Sequence, residues 1–375
     1  MHPDTLAVHA GNIDDLVGSV VPPINLSTTF ERNKDGIIGG KGFIYSRMDN
    51  PNRRTLETKL ALLEGGEEAF AFPSGNSAAL AIAETVLEPG SHLIMPDDCY
   101  HGIAAMIRNM LPRWKVSYTE VDMSDADNVE KAIQKNTRLI ILETPSNPLL
   151  KITDISAVVQ MAKQQGILLA CDNTWATPLI QRPLELGVDF VFHSSTKFFG
   201  GHSDILGGVV IVKEKNEISQ RIREFQVIGG VIPSPFDCWL LNRSLSTLSL
   251  RLERQVQNAL VIVDFLKTHP KVEKLYYPGL PDHPNHLVAK KQMNGKFGSM
   301  ISIQVRGGEK EAMRFAANLG IFKHATSLGG VESLVEHRRT AEGMVPKSPD
   351  NLLRISVGIE YIDDLIADLK KGFSG

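Results

Sequence analysis

The amino-acid sequence predicts an α/β protein with a layered α/β domain at residues 46–230 and a smaller α+β domain at residues 231–375. Three observations predict this division. The first 45 residues show little periodicity, short apolar runs then alternate with helical stretches up to about residue 230, and longer helices with fewer strands follow. Strand–helix–strand units repeated in this way form a mostly parallel sheet with right-handed crossovers.

The first 45 residues carry turn formers, as in VVPPINLSTTF, and we interpret them as an extended arm. Residues 153–166 predict a helix, because a Thr/Asp start and Gly166 enclose apolar residues at helical intervals. The run ILLACD follows at once and is apolar on both faces, which is typical of a buried parallel strand. The strands of this domain are predicted at seven apolar runs: EAFAF, HLIM, KVSYTEV, RLIILE, ILLACD, VDFVF and GGVVIV.

The second domain begins with the long helical stretch NRSLSTLSLRLERQVQNALVIVDFLKTH. Two predicted strands, KLYYPG and SMISIQV, come next and are followed by a helix around EKEAMRFAANL. The strand LLRISVGIE and a last helix end the chain. Helices and strands mixed without strict alternation are typical of an α+β domain.

The composition is ordinary for a globular enzyme. The 375 residues carry a formal net charge of −3, with 42% hydrophobic and 22% charged residues, so we expect neither a nucleic-acid partner nor a disordered chain. No apolar run is long enough to span a bilayer and the N-terminus lacks a signal-peptide pattern, so we expect a cytoplasmic protein without membrane contact. The three cysteines lie far apart, and the histidines of PDHPNH lack a third ligand, so no disulfide framework or metal site is indicated.

Two chemically distinctive residues lie at predicted strand ends. Asp172 ends the strand ILLACD, and the carboxyl edge of a parallel sheet is where such folds bind ligands, although a turn or cap aspartate is an alternative. Lys197 follows the next strand, within HSSTKFFGGHSD, and one strand–helix–strand step brings it to the same edge. A lysine flanked there by Ser194, Thr196 and glycines is a candidate for a Schiff base, and a solvated lysine is the alternative.

Two further features extend this set. Gly75 and Asn76 lie where a strand turns into a helix, so the first helical amides can hold a phosphate, with a purely structural cap by Ser74 as the alternative. Arg354 on LLRISVG has the planar fork that suits a substrate carboxylate, and a surface salt bridge is its alternative. Pyridoxal 5'-phosphate (PLP) requires a lysine, a carboxylate, phosphate donors and an arginine together, and the sequence therefore predicts a PLP site.

Eight segments carry a resemblance to the trans-sulfuration family, the PLP enzymes of cysteine and methionine metabolism. They are YSRMDNPNRR (45–54), SGNSAA (74–79), ETPSNP (143–148), CDNTWATP (171–178), HSSTKFFGGHSD (193–204), IPSPFDC (232–238), SLGGVESL (327–334) and RISVG (354–358). The resemblance covers essentially the whole chain. It implies the aspartate-aminotransferase-like fold called fold type I, with a mostly parallel seven-stranded sheet.

The same resemblance implies roles for residues around the cofactor ring and the substrate. Lys197 would form the Schiff base and carry protons between substrate and cofactor carbons, Asp172 would pair with the pyridinium, and Tyr100 would stack on the ring and assist proton transfer. The substrate α-carboxylate would be bound by Asn147, Ser333 and Arg354.

The resemblance also implies that the phosphate site is shared between subunits. Tyr45 and Arg47 would reach in from a neighbouring subunit, so the protein is expected to be a homodimer at least, and a tetramer as is usual in the family. The arm at residues 1–45 would then serve subunit contact. Within one chain the phosphate would be held by Gly75, Asn76, Ser194 and Thr196.

Departures from the family pattern concern substrate choice. Ile44 precedes the YSR tyrosine where cystathionine-handling relatives commonly have an acid, and Glu332 could supply part of the lost recognition. Gly102 stands where methionine γ-lyases usually carry a cysteine. Arg338 and Arg339 make one wall basic, which suits a dicarboxylate or an acylated homoserine, with surface charge or a subunit contact as the alternative.

From these residues we predict an enzyme that acts at Cγ of homoserine-derived or sulfur amino acids. The first prediction is cystathionine γ-synthase, which joins an O-acylhomoserine and cysteine. The alternatives are cystathionine γ-lyase, then an O-acylhomoserine sulfhydrylase or methionine γ-lyase. A non-catalytic PLP-binding protein of the same fold is the hypothesis from another class.

Overall fold

The computed structural model describes residues 1–11, 18–36, 42–342 and 346–374. All seven strands predicted for the first domain are present and form one sheet. Their bounds are β1 Glu68–Phe72, β2 His92–Pro96, β3 Ser117–Val121, β4 Thr137–Glu143, β5 Leu168–Asp172, β6 Phe190–His193 and β7 Gly208–Val212. The strand order is β1-β7-β6-β5-β4-β2-β3. β3, β2, β4, β5 and β6 are parallel, and β7 is antiparallel to both of its neighbours, so the prediction of a mostly parallel sheet is confirmed.

The helices that cover this sheet begin and end at capping residues. α6 is capped by Asp154, whose carboxylate accepts the Ala157 N–H, and it ends at Gly166 with a φ of 65°, as the sequence predicted. The helices of this domain and its N-terminal arm are α1 Pro3–His9, α2 Pro51–Glu64, α3 Gly75–Val86, α4 His101–Asn109, α5 Ala126–Ala132, α6 Ile155–Gln165, α7 Pro183–Leu186 and α8 Glu217–Ile228, with a short 3-10 helix at Leu111–Trp114.

The small domain is built on a second sheet. Its strands are β8 Val272–Tyr276, β9 Met300–Val305, β10 Lys323–His324, β11 Leu334–His337 and β12 Leu352–Ser356, in the order β10-β11-β12-β9-β8. Its helices are α9 Pro235–Leu245, α10 Leu248–Leu266, α11 His286–Gln292, α12 Glu309–Asn318, α13 Arg338–Ala341 and α14 Ile362–Ser374. β10 and β11 were not predicted, because their apolar runs are too short to show a period.

Packing divides the chain differently from the sequence pattern in two places. α9 shares a buried apolar cluster with the large domain through Cys238, Leu241 and Leu245, although the predicted boundary precedes it. The arm contains the helix α1, and the buried amine of Lys59 donates to the Ala7 carbonyl at 3.0 Å, which ties α1 to α2. None of the described helices combines the length and apolar character needed to cross a membrane.

Candidate active site

A cavity of about 300 Å³ lies at the carboxyl ends of the parallel strands, and loops of the small domain close its other side. The cavity brings together residues from distant parts of the sequence. Nine of the thirteen predicted site residues line it: Gly75, Asn76, Tyr100, Asn147, Asp172, Ser194, Thr196, Lys197 and Arg354. The small domain contributes Thr326, Ser327, Leu328, Arg338 and Arg354.

Two carboxylates lie side by side at the base of this cavity. Asp172 ends β5 and is in register with Glu143 at the end of β4, and both side chains are buried. Burial raises the pKa of both groups, and the charge of Asp172 raises the pKa of Glu143 further, whereas the hydrogen bonds from Thr174 act to lower the pKa of Asp172. The Thr174 N–H donates to Asp172 at 2.9 Å and the Tyr100 N–H donates to Glu143 at 2.7 Å. A cation bound beside Asp172 would therefore be strongly favoured.

Glu143 was not among the predicted site residues. The sequence signal that identified Asp172, an acid at the end of an apolar strand, is equally present at RLIILE. The parallel pairing of β4 with β5 then places the two acids next to each other.

Lys197 lies in a tight turn after β6. Its N–H donates to the Ser194 carbonyl at 3.1 Å, and its own carbonyl accepts the Gly201 N–H at 2.7 Å. Its amine donates to the Ser327 hydroxyl at 2.8 Å. Burial, with a contribution from the nearby Arg354 charge, lowers the pKa of Lys197 to about 8. This amine is therefore available as a nucleophile and base far below the ordinary lysine pKa.

The start of α3 meets the turn that carries Lys197. Ser74 caps this 12-residue helix through a capping box with Ser77, so the structural cap and a phosphate site are compatible. A Cβ on Gly75 would lie 2.9 Å from the Ser194 Cβ, so only glycine allows this approach. The amides at the helix start and the hydroxyls of Ser194 and Thr196 consequently face one region of the cavity, as an anion site requires.

Tyr100 lines the same cavity at the start of α4. Burial raises the pKa of its phenol, while the positive charge of Arg354 acts in the opposite direction. A Cβ at Gly102 would lie 2.5 Å from an edge carbon of the Tyr100 ring. Gly102 therefore permits the observed ring position, and a cysteine at this position would require the ring to move.

Arg354 reaches the cavity from the middle of the small sheet. Its guanidinium donates to the Asn147 side-chain oxygen at 2.9 Å and to the Ser327 carbonyl at 3.1 Å, and it pairs with Glu336 at 2.6 Å. Ser327, which also contacts Lys197, has a φ of 108°, a left-handed conformation that non-glycine residues rarely adopt. Backbone strain of this kind concentrates at functional sites. Ser327 was not predicted, and no local pattern distinguishes it.

Two predicted substrate-binding residues, Ser333 and Glu332, are not among the residues that line the cavity. The Ser333 hydroxyl donates to Glu360 at 2.8 Å and accepts the Gly358 N–H at 2.9 Å, so it ties β11 to the loop after β12. Glu332 accepts a hydrogen bond from the Ser203 hydroxyl. The segment SLGGVESL reverses direction at its glycines, and this turn leaves its first serine, Ser327, at the cavity.

Tyr45 and Arg47 do not line the cavity of their own chain. Tyr45 is 40% exposed beside an isolated bridge to Thr29, and Arg47 donates to the Val227 carbonyl at 2.6 Å. Their predicted role toward a neighbouring subunit therefore remains a prediction.

The residues present fit PLP. Three groups lie at one edge of the sheet: an amine of lowered pKa, a buried carboxylate that a nearby cation would stabilise, and a helix start whose glycine permits close approach of the Ser194 turn. These groups match a carbonyl carbon, a protonated ring nitrogen and a phosphate, in that order. Lys197, Asp172 and the Gly75 region would hold these three parts.

Comparison with known proteins agrees with this fit. Cystathionine gamma-synthase of Mycobacterium leprae is 44% identical over 99% of this chain and 96% of its own length. Cystathionine gamma-lyase of Bacillus subtilis is 43% identical over 98% of each chain. The solved structure of metB from Corynebacterium glutamicum has a TM-score of 0.96 and 42% identity, covering 100% of this chain and 98% of that one. The sequence profile of the Cys/Met metabolism PLP-dependent enzymes matches residues 4–374, and the chain belongs to that family.

Proposed function

We propose that the protein is a cystathionine γ-synthase, which replaces the acyloxy group at Cγ of an O-acylhomoserine with the sulfur of cysteine. The observation that carries this proposal is the cavity that the Lys197 amine, the Asp172 carboxylate and the Arg354 guanidinium line together. PLP supplies an electron sink for charge that develops at the substrate carbons. The Bacillus subtilis relative, which is named a lyase, is nearly as similar to this chain as the Mycobacterium leprae synthase is. The choice of synthase therefore rests on this chain's own residues.

The side chains that line the cavity have separate roles in substrate binding and proton transfer. Arg354 and Asn147 bind and orient the α-carboxylate, which directs the substrate Cα toward Lys197. The neutral Lys197 amine accepts a proton from Cα, would pass it to a carbon of bound PLP, and is then free to accept a proton from Cβ. A base of pKa about 8 is suited to both removals near neutral pH. Its hydrogen bond to the Ser327 hydroxyl holds the amine on the substrate side of the cavity.

The described residues that line the cavity include no carboxylate without a hydrogen-bond partner, and this favours the synthase. Cystathionine carries a distal ammonium group, and a lyase must hold it, whereas a synthase must release cystathionine as product. Among the described residues that line the cavity, the carboxylates are Glu143 and Asp172, and both already accept backbone N–H groups. Ile44 is apolar, and Glu332 points to Ser203. These residues offer no fixed partner to the distal ammonium group.

Product analysis tests the proposal. The purified holoenzyme is incubated with an O-acylhomoserine plus cysteine, with L-cystathionine alone, or with L-methionine alone, and the products are identified by mass spectrometry. We expect cystathionine from the first mixture and little 2-oxobutyrate from the others. Rapid release of cysteine and 2-oxobutyrate from cystathionine, without synthesis in the first mixture, would instead establish the γ-lyase. The Lys197→Ala variant is the control for non-enzymatic products.

We further propose that the active unit is at least a dimer in which Tyr45 and Arg47 complete the phosphate site of the neighbouring subunit. Exposure of Tyr45 and of the apolar arm residues Val20, Val21 and Leu26 supports a covered surface here. Lys197→Ala and Arg47→Ala variants, each weakly active alone, should recover activity when their subunits are exchanged. Mixtures that stay inactive after verified exchange would contradict shared sites.

A further inference from the structure

Three charged side chains form a buried cluster at the proposed binding site of the substrate α-carboxylate: Glu336, Arg338 and Arg354. Glu336 on β11 lies opposite Arg354 on β12 in the antiparallel register, and Arg338 begins α13 two residues further on. One carboxylate oxygen of Glu336, Oε2, lies 2.6 Å from Arg354 and 2.5 Å from Arg338. All three residues are 4% exposed or less. Arg338 lines the cavity together with Arg354.

The charges of this cluster decide whether Arg354 can bind a second carboxylate. Arg354 and Glu336 alone form a neutral pair, and a substrate carboxylate would have to compete with Glu336 in a buried site. Arg338 brings a second positive charge to the same Glu336 oxygen, so the Glu336 carboxylate is shared between the two guanidinium groups. Although burial acts in the opposite direction, the two guanidinium groups hold the pKa of Glu336 below its ordinary value, and the carboxylate stays charged.

Two other acids, Glu143 and Glu342, lie near Arg338, and burial raises the pKa of Glu143 well above its ordinary value, which disfavours the charged form of Glu143. Glu342 lies 3.8 Å from Arg338, on the side away from Glu336's contact, and it is occupied by N–H groups of Lys347 and Ser348 at 2.8 and 2.9 Å. The Nε of Arg338 is buried and has no hydrogen-bond partner among the described residues. The two guanidinium groups of the cluster therefore carry more positive charge than the Glu336 carboxylate neutralises.

We propose that Arg338 is a positioning residue of the α-carboxylate site: by sharing Glu336 it leaves Arg354 with the net positive charge that holds the substrate. This inference rests on the proposed role of Arg354 and does not depend on which γ-reaction follows. It predicts that Arg338 affects every amino acid ligand alike, because every one carries an α-carboxylate. Direct contact between Arg338 and a distal carboxylate would favour only ligands that have one.

The test uses the holoenzyme and two ligands that have no leaving group at Cγ. L-Norvaline has one carboxylate and L-2-aminoadipate has two, and binding of each is followed by the change in cofactor absorbance. In Arg338→Met, we expect the Kd of both ligands to rise about tenfold to 100-fold, with similar factors for the two. The KM of the reacting substrate should rise likewise, while kcat changes about twofold or less.

Matched variants separate this role from a structural one. Arg338→Lys keeps the charge and should stay within about threefold of the wild-type Kd. Arg339→Met makes the same charge change on an exposed neighbour and should have no effect. Glu336→Gln removes the competing carboxylate and should bind both ligands at least as tightly as the wild type. The double variant Glu336→Gln/Arg338→Met should recover most of the loss.

Three results would overturn the proposal. The first is a loss confined to L-2-aminoadipate, which would assign Arg338 to a distal carboxylate. The second is a double variant that binds no better than Arg338→Met. The third is an increased Kd in Glu336→Gln, which remains decisive even where Arg338→Met fails to fold. If the wild type binds L-norvaline but performs no γ-replacement, the proposed function fails while this inference stands.

Discussion

The pH dependence of catalysis follows directly from the environment of Lys197. With a pKa of about 8, roughly 10% of this amine is neutral at pH 7, whereas an ordinary lysine of pKa 10.5 would be neutral to about 0.03%. Burial therefore raises the concentration of the active base about 300-fold at this pH. Because the base must be unprotonated, the rate is lost as the pH falls below 8 and is fully present above it.

The assay measures product formation by the holoenzyme between pH 6 and 10. For the wild type we expect kcat, which reports the complex in which the substrate has freed the Lys197 amine, to rise about tenfold per pH unit below 8 and to level off above. Lys197→Ala should lose activity by at least about 10²- to 10⁴-fold at every pH while its circular dichroism spectrum is retained. Substantial γ-cleavage by this variant, or a wild-type profile that rises up to pH 10, would refute the reasoning.

A second buried lysine provides the control. Burial also lowers the pKa of Lys59 to about 8, but its amine donates to the Ala7 carbonyl and lies outside the cavity. Lys59→Met should leave the pH profile unchanged. A shifted profile in this variant would mean that the pH dependence reports folding rather than the catalytic base.

Three further predictions concern the charges around the site. Asp172→Asn removes the charge of the carboxylate but keeps its shape. It should lower kcat per bound cofactor about 10- to 100-fold, because a charge-assisted hydrogen bond contributes ~1.5–3 kcal/mol. An unchanged kcat would exclude pairing of Asp172 with the ring nitrogen. Arg354→Lys keeps the charge but loses the planar fork, so KM should rise at least about tenfold with a smaller change in kcat, and an unaltered KM would place the α-carboxylate elsewhere. Glu64→Gln replaces the carboxylate in a buried contact of 2.6 Å with His193 and should cost about 1–3 kcal/mol, measured as a lower midpoint of thermal unfolding; an equal midpoint would show that an amide satisfies His193 as well as the carboxylate does.

The local pattern of the sequence was sufficient for the elements around the cavity. Each of the seven apolar runs became a strand of the large sheet. Six of these strands are largely buried, which leaves a near-continuous apolar signal, whereas the edge strand β3 is partly exposed. Asp172 and Lys197 were identified because parallel strands bring their carboxyl ends to one edge. The same principle would have identified Glu143.

Residues outside such patterns could not be assigned from their neighbours in sequence. Ser327 and Ser333 belong to one glycine-containing segment, and both are serines beside apolar residues. Only the course of the turn, with its left-handed backbone at Ser327, decides which of them faces Lys197. The sequence prediction named Ser333, and no local pattern could have favoured Ser327 over it.

The sequence by itself determined the α/β architecture of the large domain and the prediction of a PLP site, because strand periodicity and strand-end residues are local properties. The family followed from the resemblance that eight short segments carry. The tertiary structure alone decided how charges are shared across strands and between domains. Glu336 meets Arg354 through the pairing of β11 with β12, and Lys197 meets Ser327 across the two domains. Such contacts depend on strand register and domain packing, which join residues far apart in the chain and leave no periodic signal in it.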